Sequence, residues 1–151
     1  MPNQEKKELI IYLENLLKER INNAQEELNS IIESRNNESK SSAGDKYETG
    51  RAMMQLAEQQ AQTQLAKQHT ILKQITEVKN AKAATKVELG SLVKTNNGDF
   101  YLAVGIGEVN TTSGKYICIS PISPIGKAFR NKSAEETFTF MGKQYEIISI
   151  T

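Results

Sequence analysis

Two long helical stripes of matched length, separated by a short polar stretch flanked by glycine, constrain this 151-residue chain more than any other feature. Over residues 4–37, apolar side chains recur at Ile10, Leu13, Leu17, Ile21, Ala24, Leu28 and Ile31, in steps of three or four. That spacing draws one stripe along one helix face. Leu9, Leu16 and Ile32 widen it, and no Gly or Pro interrupts it. It predicts an amphipathic helix of about 34 residues, roughly 50 Å long. Residues 51–84 repeat the pattern through Met54, Ala57, Ala61, Leu65, Leu72, Ile75 and Val78, with Gln68 where an apolar residue is expected. Ala and Gln dominate this second segment, and both are good helix formers. Each stripe is too narrow to bury alone, so the pair predicts an antiparallel coiled-coil hairpin over residues 1–84. A longer, self-associating helix is the alternative, against which Gly44 and Gly50 argue for a turn.

The tip of that hairpin spans residues 39–50 and holds Ser41-Ser42-Ala43-Gly44-Asp45-Lys46-Tyr47-Glu48-Thr49-Gly50. Two carboxylates, Asp45 and Glu48, stand three residues apart in it. Two readings fit that spacing. Asp-x-x-Glu ahead of a helix is a capping box, with Asp45 as N-cap and Glu48 reaching back. Two exposed carboxylates can also share a hard divalent cation such as Mg²⁺, commonly held by one or two carboxylates together with water and phosphate oxygens. The readings are compatible, because a cap fixes the geometry of a ligand. Lys40, Lys46 and Arg51 stand close by in sequence, able to meet a phosphate group of a partner or to form an ordinary solvated set.

After Ala84 the periodicity changes from helical to alternating. Residues 87–94 read as a strand interrupted by Gly90, Asn97-Gly98-Asp99 as a hairpin turn, and residues 100–104 as its partner strand. Thr111–Gly114 marks another turn, and residues 116–120 form an apolar, central strand. Ser123 and Pro124 open a short helix, as N-cap and first residue. Residues 137–140 and 145–150 close the chain as a hairpin across Met141-Gly142-Lys143. The expectation is therefore an α+β protein, with a small antiparallel sheet carrying one short helix over residues 85–151. A sheet of about 65 residues is marginal alone and gains from packing against the base of the coiled coil.

Counting removes most enzyme chemistries. One His (His69) and one Cys (Cys118) fall in different segments, which leaves no Cys-His nucleophile pair and no clustered zinc ligands. Cys118 sits in an apolar strand and reads as core packing. Gly105-Ile106-Gly107 lacks the third glycine and following helix of a dinucleotide fingerprint. A net charge of +1 gives no global field for nucleic acid, so any such contact is local. The charged opening residues contain no apolar core of signal-peptide length, no apolar run reaches membrane-spanning length, and a single Cys suits a reducing compartment. These point to a soluble, cytoplasmic protein with no membrane partner.

The sequence resembles the Gre family of bacterial transcript cleavage factors. Gly44-Asp45-Lys46-Tyr47-Glu48 matches the family's Gly-Asp-x-x-Glu tip. Ile119-Ser120-Pro121-Ile122-Ser123-Pro124-Ile125-Gly126-Lys127-Ala128 resembles its Ile-Ser-x-x-Ser-Pro-Leu/Ile-Gly-x-Ala segment, and residues 145–150 also fit. The likeness covers nearly the whole chain, more loosely in the coiled coil. At the tip, Thr49-Gly50-Arg51-Ala52 stands where the family usually has Asn-Ala-Glu-Tyr or similar.

The resemblance implies an FKBP-like C-terminal domain that docks at the rim of the RNA polymerase secondary channel. Ser120, Pro121, Ser123, Pro124, Ile125, Gly126 and Lys127 would form the docking segment. It implies that the coiled coil enters the channel. There Asp45 and Glu48 would help hold a second Mg²⁺ in the polymerase active site, and the polymerase itself hydrolyses the 3′ end of backtracked RNA. The chain would be an accessory factor and not an enzyme, with no cofactor of its own. Two alternatives stay open: a channel-binding regulator without cleavage, and an FKBP-like prolyl isomerase or coiled-coil chaperone.

Overall fold

The computed structural model describes residues 4–38, 44–82 and 84–151, with backbone alone at 38 and 44–48. Helix α1 spans Gln4–Glu38 and helix α2 spans Gly44–Val78, each of 35 residues. A six-stranded sheet and a short helix follow, so the protein is α+β. The chain divides into two compact units. One comprises Asn15–Leu72; the other joins α1 up to Glu14 to Lys73–Thr151.

In the Asn15–Leu72 unit the helices run antiparallel. Arg35 of α1 pairs with Glu58 of α2, while Glu27, earlier in α1, shares a cleft with Gln64, later in α2. Leu28 and Ala61 are buried. Ile21, Ala24, Ile31, Met54, Ala57, Leu65 and Leu72 are half-buried, as a two-helix seam allows. The α2 stripe matches the periodicity, including Gln68, whose side-chain oxygen is buried without a hydrogen-bond partner. Helix α2 starts earlier than the glycines suggest: Gly44 through Gly50 are already helical. Gly50 is thus a weak helix residue tolerated in a long helix and not part of the turn.

In the second unit the strands are β1 (Leu92–Thr95), β2 (Gly98–Leu102), β3 (Gly107–Thr111), β4 (Gly114–Ile119), β5 (Thr137–Phe140) and β6 (Lys143–Ile150), and helix α3 is Pro124–Phe129. The order across the sheet is β3-β4-β2-β1-β6-β5. All neighbours are antiparallel except β2 and β4, which pair parallel. Strand β3, which the alternation did not mark, is the reason: it reverses the chain outside β4, so β4 arrives beside β2 pointing the same way. The two central strands are β2 and β1, with β4 one place further out.

The expected strand over 87–94 is broken at Gly90, whose φ of +90° favours glycine. Glu88–Ser91 form a turn in which the Glu88 N–H donates to Ser91 Oγ at 3.0 Å. Val87 instead exchanges backbone bonds with Asn131 and Lys132. The final hairpin turns through Met141 and Gly142, both at positive φ (48° and 79°), the two-residue turn whose twist suits a hairpin.

Both sheet faces are covered. On one face Val93, Phe100, Leu102, Ile119, Tyr145 and Ile147 pack with Phe129 of α3. The rings of Phe129 and Phe138 meet edge to face at 4.9 Å, and Phe138 stacks on Tyr145 at 5.2 Å. On the other face lie Leu92, Tyr101, Tyr116 and Cys118, all buried. The start of α1 is fastened to that side: Glu5 pairs with Lys94 at 3.0 Å, Glu8 accepts from Ser113 Oγ, and Lys6 Nζ donates to the Thr151 carbonyl at 3.3 Å.

Candidate functional site

Asp45 and Glu48 fall at the second and fifth positions of α2. Residues three apart on a helix share a face, with Cβ atoms about 5–6 Å apart. With Gly44 already helical, Asp45 is inside the first turn and not at the N-cap. The side chains of Asp45, Lys46 and Glu48, and all of Lys40, lie outside the described residues. Arg51 is described and exposed, three residues beyond Glu48. Among the described residues no three His, Cys, Asp or Glu side chains gather to hold a metal.

The 120–127 segment is built around two backbone demands. Ser123 is the N-cap of α3: its Oγ accepts from Gly126 N–H at 3.1 Å and donates to the Ser120 carbonyl at 2.6 Å. Pro124 takes the first helical position, where a missing N–H costs nothing. Gly126 is buried because the Ser120 carbonyl occupies the space a side chain would need, with Pro121 backbone atoms 3.0 Å from the same point. Ile125 is half-buried against the core. Ser123, Ile125 and Gly126 therefore shape the segment from within. Pro124 and Lys127 face solvent, and Ser120 and Pro121 are half-exposed.

This turn and the break at Gly90 expose two apolar side chains that the sequence did not single out. Ile122 is 78% exposed and Leu89 is 52% exposed. Both line two clefts, together with Pro121. One, of about 250 Å³, also includes Val78, Ala103, Val104 and Gly105. The other, of about 540 Å³, also includes Glu88, Leu102 and Arg130. The sequence signal was present but faint: an apolar residue between Pro121 and the Ser123 cap, and another just before Gly90, have no strand or helix face to bury them.

Several titratable groups of the sheet unit are shifted by their surroundings. Lys94 is shifted up by its hydrogen bond to Glu5. Asp99 is shifted up by burial, against the pull of Lys94. Burial pushes the Cys118 thiol up to about 12, which keeps it protonated and a poor nucleophile. The aromatic residues that an FKBP-type isomerase needs around a pocket (Phe100, Phe129, Phe138 and Tyr145) pack on one another instead. The clefts beside Leu89 and Ile122 carry no aromatic residue.

No helix among the described residues is long and apolar enough to cross a membrane. Comparison with family models, with curated proteins and with solved structures finds no match to this chain.

Proposed function

We propose that this chain is a Gre-like factor of bacterial RNA polymerase that enters the secondary channel and supports cleavage of backtracked RNA. The observation that carries the reading is the joint occurrence of Gly44-Asp45-x-x-Glu48 and the Ser120–Ala128 segment in one chain. The helices support it by length: 35 residues each correspond to about 52 Å, enough to reach into a deep channel.

The division of labour follows from the residues. Asp45 and Glu48, on one face of the first turns of α2, supply two anionic oxygens to a metal site completed by the polymerase. Mg²⁺ bound there supplies charge stabilisation for the attacking and leaving oxygens. Arg51, and Lys40 and Lys46 beside it in sequence, meet RNA phosphate. The exposed Leu89, Ile122, Pro124 and Lys127, with the half-exposed Pro121, form the docking surface on the FKBP-like domain, while Ser120, Ser123, Ile125 and Gly126 hold its shape.

The test is a cleavage assay on a stalled, backtracked elongation complex. Wild-type protein releases short 3′ RNA fragments, and Asp45→Asn and Glu48→Gln each abolish release while still binding polymerase. Unchanged cleavage by both variants overturns the mechanism. Arg51, exposed one turn after Glu48 where the family usually carries an acid, favours a second reading: a factor that occupies the channel without cleavage. Polymerase binding by the wild type with no RNA release selects it.

A further inference from the structure

Strand β5 is an edge of the sheet, and among the described residues no strand pairs with its outer side. The direction of its backbone groups follows from the hairpin. Phe140 and Lys143 close a two-residue turn, which makes them a hydrogen-bonded pair, and the alternation makes Phe138 and Tyr145 the next. The Ile147 N–H donating to the Glu136 carbonyl keeps the same parity. Thr137 and Thr139 therefore direct their N–H and C=O groups away from β6, to the open side.

Edges are usually blunted by charge, proline or a bulge. The opposite edge, β3, follows that rule: the same parity places Glu108 and Asn110 outward, and Glu108 is charged and exposed. Within Thr137-Phe138-Thr139-Phe140 there is no charge and no proline, and the bulge at Glu135–Glu136, opposite Ile147, lies ahead of the strand. Charge flanks it instead, with opposite signs at its two ends. Glu135 and Glu136 precede the strand, and Lys143 follows its turn; all three are exposed.

We propose that β5 pairs antiparallel with β5 of a second copy of this chain, about a two-fold axis through Phe138. In that register Thr137 of each copy faces Thr139 of the other. Each such pair exchanges both backbone bonds, so no outward group of the strand is left over. Phe138 meets its own symmetry mate, a cross-strand aromatic pair. Each Glu135-Glu136 flank comes beside the hairpin tip carrying Lys143 of the other copy, and the symmetry uses that attraction twice. A parallel arrangement would set like charge against like. The interface is one short strand, so association is weak and depends on concentration.

Sedimentation velocity of the full chain over a concentration series tests this. The expected result is a reversible shift from the 16.8 kDa monomer towards twice that mass as concentration rises. Thr139→Pro removes one outward N–H while leaving the β6 ladder intact, and shifts the dimerisation midpoint to at least about tenfold higher concentration. Lys143→Glu weakens self-association similarly. Mixing it with the Glu135→Lys, Glu136→Lys double variant restores a dimer made of one chain of each. Circular dichroism confirms that the variants are folded, and a misfolded Thr139→Pro is replaced by Thr139→Lys at the same exposed position. A wild type that stays monomeric throughout overturns the proposal, as does a dimer unaffected by the β5 variants, or a charge-reversed mixture that fails to pair.

Discussion

Gly126 packs directly against the carbonyl oxygen of Ser120, with no room between them for a side chain. Two effects compete when Gly126 becomes Ala. Inside a helix the change gains about 1 kcal/mol from propensity. Forcing a methyl group into backbone atoms costs about 1–3 kcal/mol or more, because neither the carbonyl nor Pro121 can swing aside as a side chain would. The second effect wins. Gly126→Ala lowers stability by about 1–2 kcal/mol net, read as a lower urea midpoint at unchanged slope. A stabilised variant would show that the turn yields freely.

Ser123 makes the matching prediction for the cap. Its hydroxyl holds both the Gly126 N–H and the Ser120 carbonyl. Ser123→Ala loses both bonds and costs about 1–2 kcal/mol, while Ser123→Asp keeps the capping acceptor and recovers part of it. Thermal unfolding of the three proteins orders them wild type, Asp, Ala.

Ser123 and Pro124 were legible in the sequence because their roles are local. A cap, a proline at the first helical position and a helical stripe each depend on neighbours within a few positions. The same holds for Gln68, which the spacing alone placed in the seam. Strand β3 and the parallel β2–β4 pair were not legible, since partner choice depends on where the chain returns after Thr111. Gly90 was visible as an interruption, but its consequence, Val87 pairing with residues 131–132, is a long-range event. The candidate site divides the same way. Asp45 and Glu48 were found by type and spacing and the Ser120–Lys127 segment by its resemblance to a family motif, whereas Ile122 and Leu89 emerge only when the turn and the Gly90 break expose them.

Exposure gives a test that separates docking from folding. Leu89 and Ile122 have little burial to lose, so Leu89→Asp and Ile122→Asp leave the unfolding temperature within a degree or two of wild type. If they anchor the complex, each weakens binding to RNA polymerase by about tenfold or more. A pull-down titration against polymerase measures this, with Asp45→Asn as the control that leaves docking intact. Full-strength binding by the Leu89, Ile122 double variant would remove this surface from the interface.

Alkali stability follows from burial on the α1 side of the sheet. The Cys118 thiol is held at about 12 in the fold against an ordinary 9.0. Above 9.0 the unfolded chain ionises and the folded one does not, so the stability present below 9.0 declines as pH rises towards 12. Buried Tyr101 acts in the same direction above its ordinary 10.0. Lys94, raised by Glu5, adds stability that is full below 10.5 and lost as pH passes its folded value. Lys6, lowered by burial, opposes these by favouring the fold as it deprotonates. Tyr101 and Lys94 enter only above about pH 10, so between 9.0 and about pH 10 the Cys118 contribution lowers the urea midpoint. Cys118→Ala starts less stable but shows a shallower decline. Native Cys118 meanwhile reacts with a thiol reagent no faster than the protein opens.

Gln68 offers the opposite sign. Its amide oxygen is buried without a partner in a seam otherwise made of Ala61, Leu65 and Leu72. An unsatisfied buried acceptor costs about 1–3 kcal/mol, and an apolar side chain of similar length removes that cost while adding burial. Gln68→Leu therefore raises the urea midpoint, corresponding to about 1–2 kcal/mol. A polar residue in a coiled-coil seam can also fix register and partner number at the expense of stability. The two roles separate by mass. If Gln68 acts only as a weak point, the Leu variant is more stable and keeps the wild type's association state at every concentration. If it guards register, the gain in stability comes with higher oligomers in sedimentation, because an unbroken apolar seam accepts further helices. A Leu variant less stable than wild type would mean that the amide is satisfied in solution.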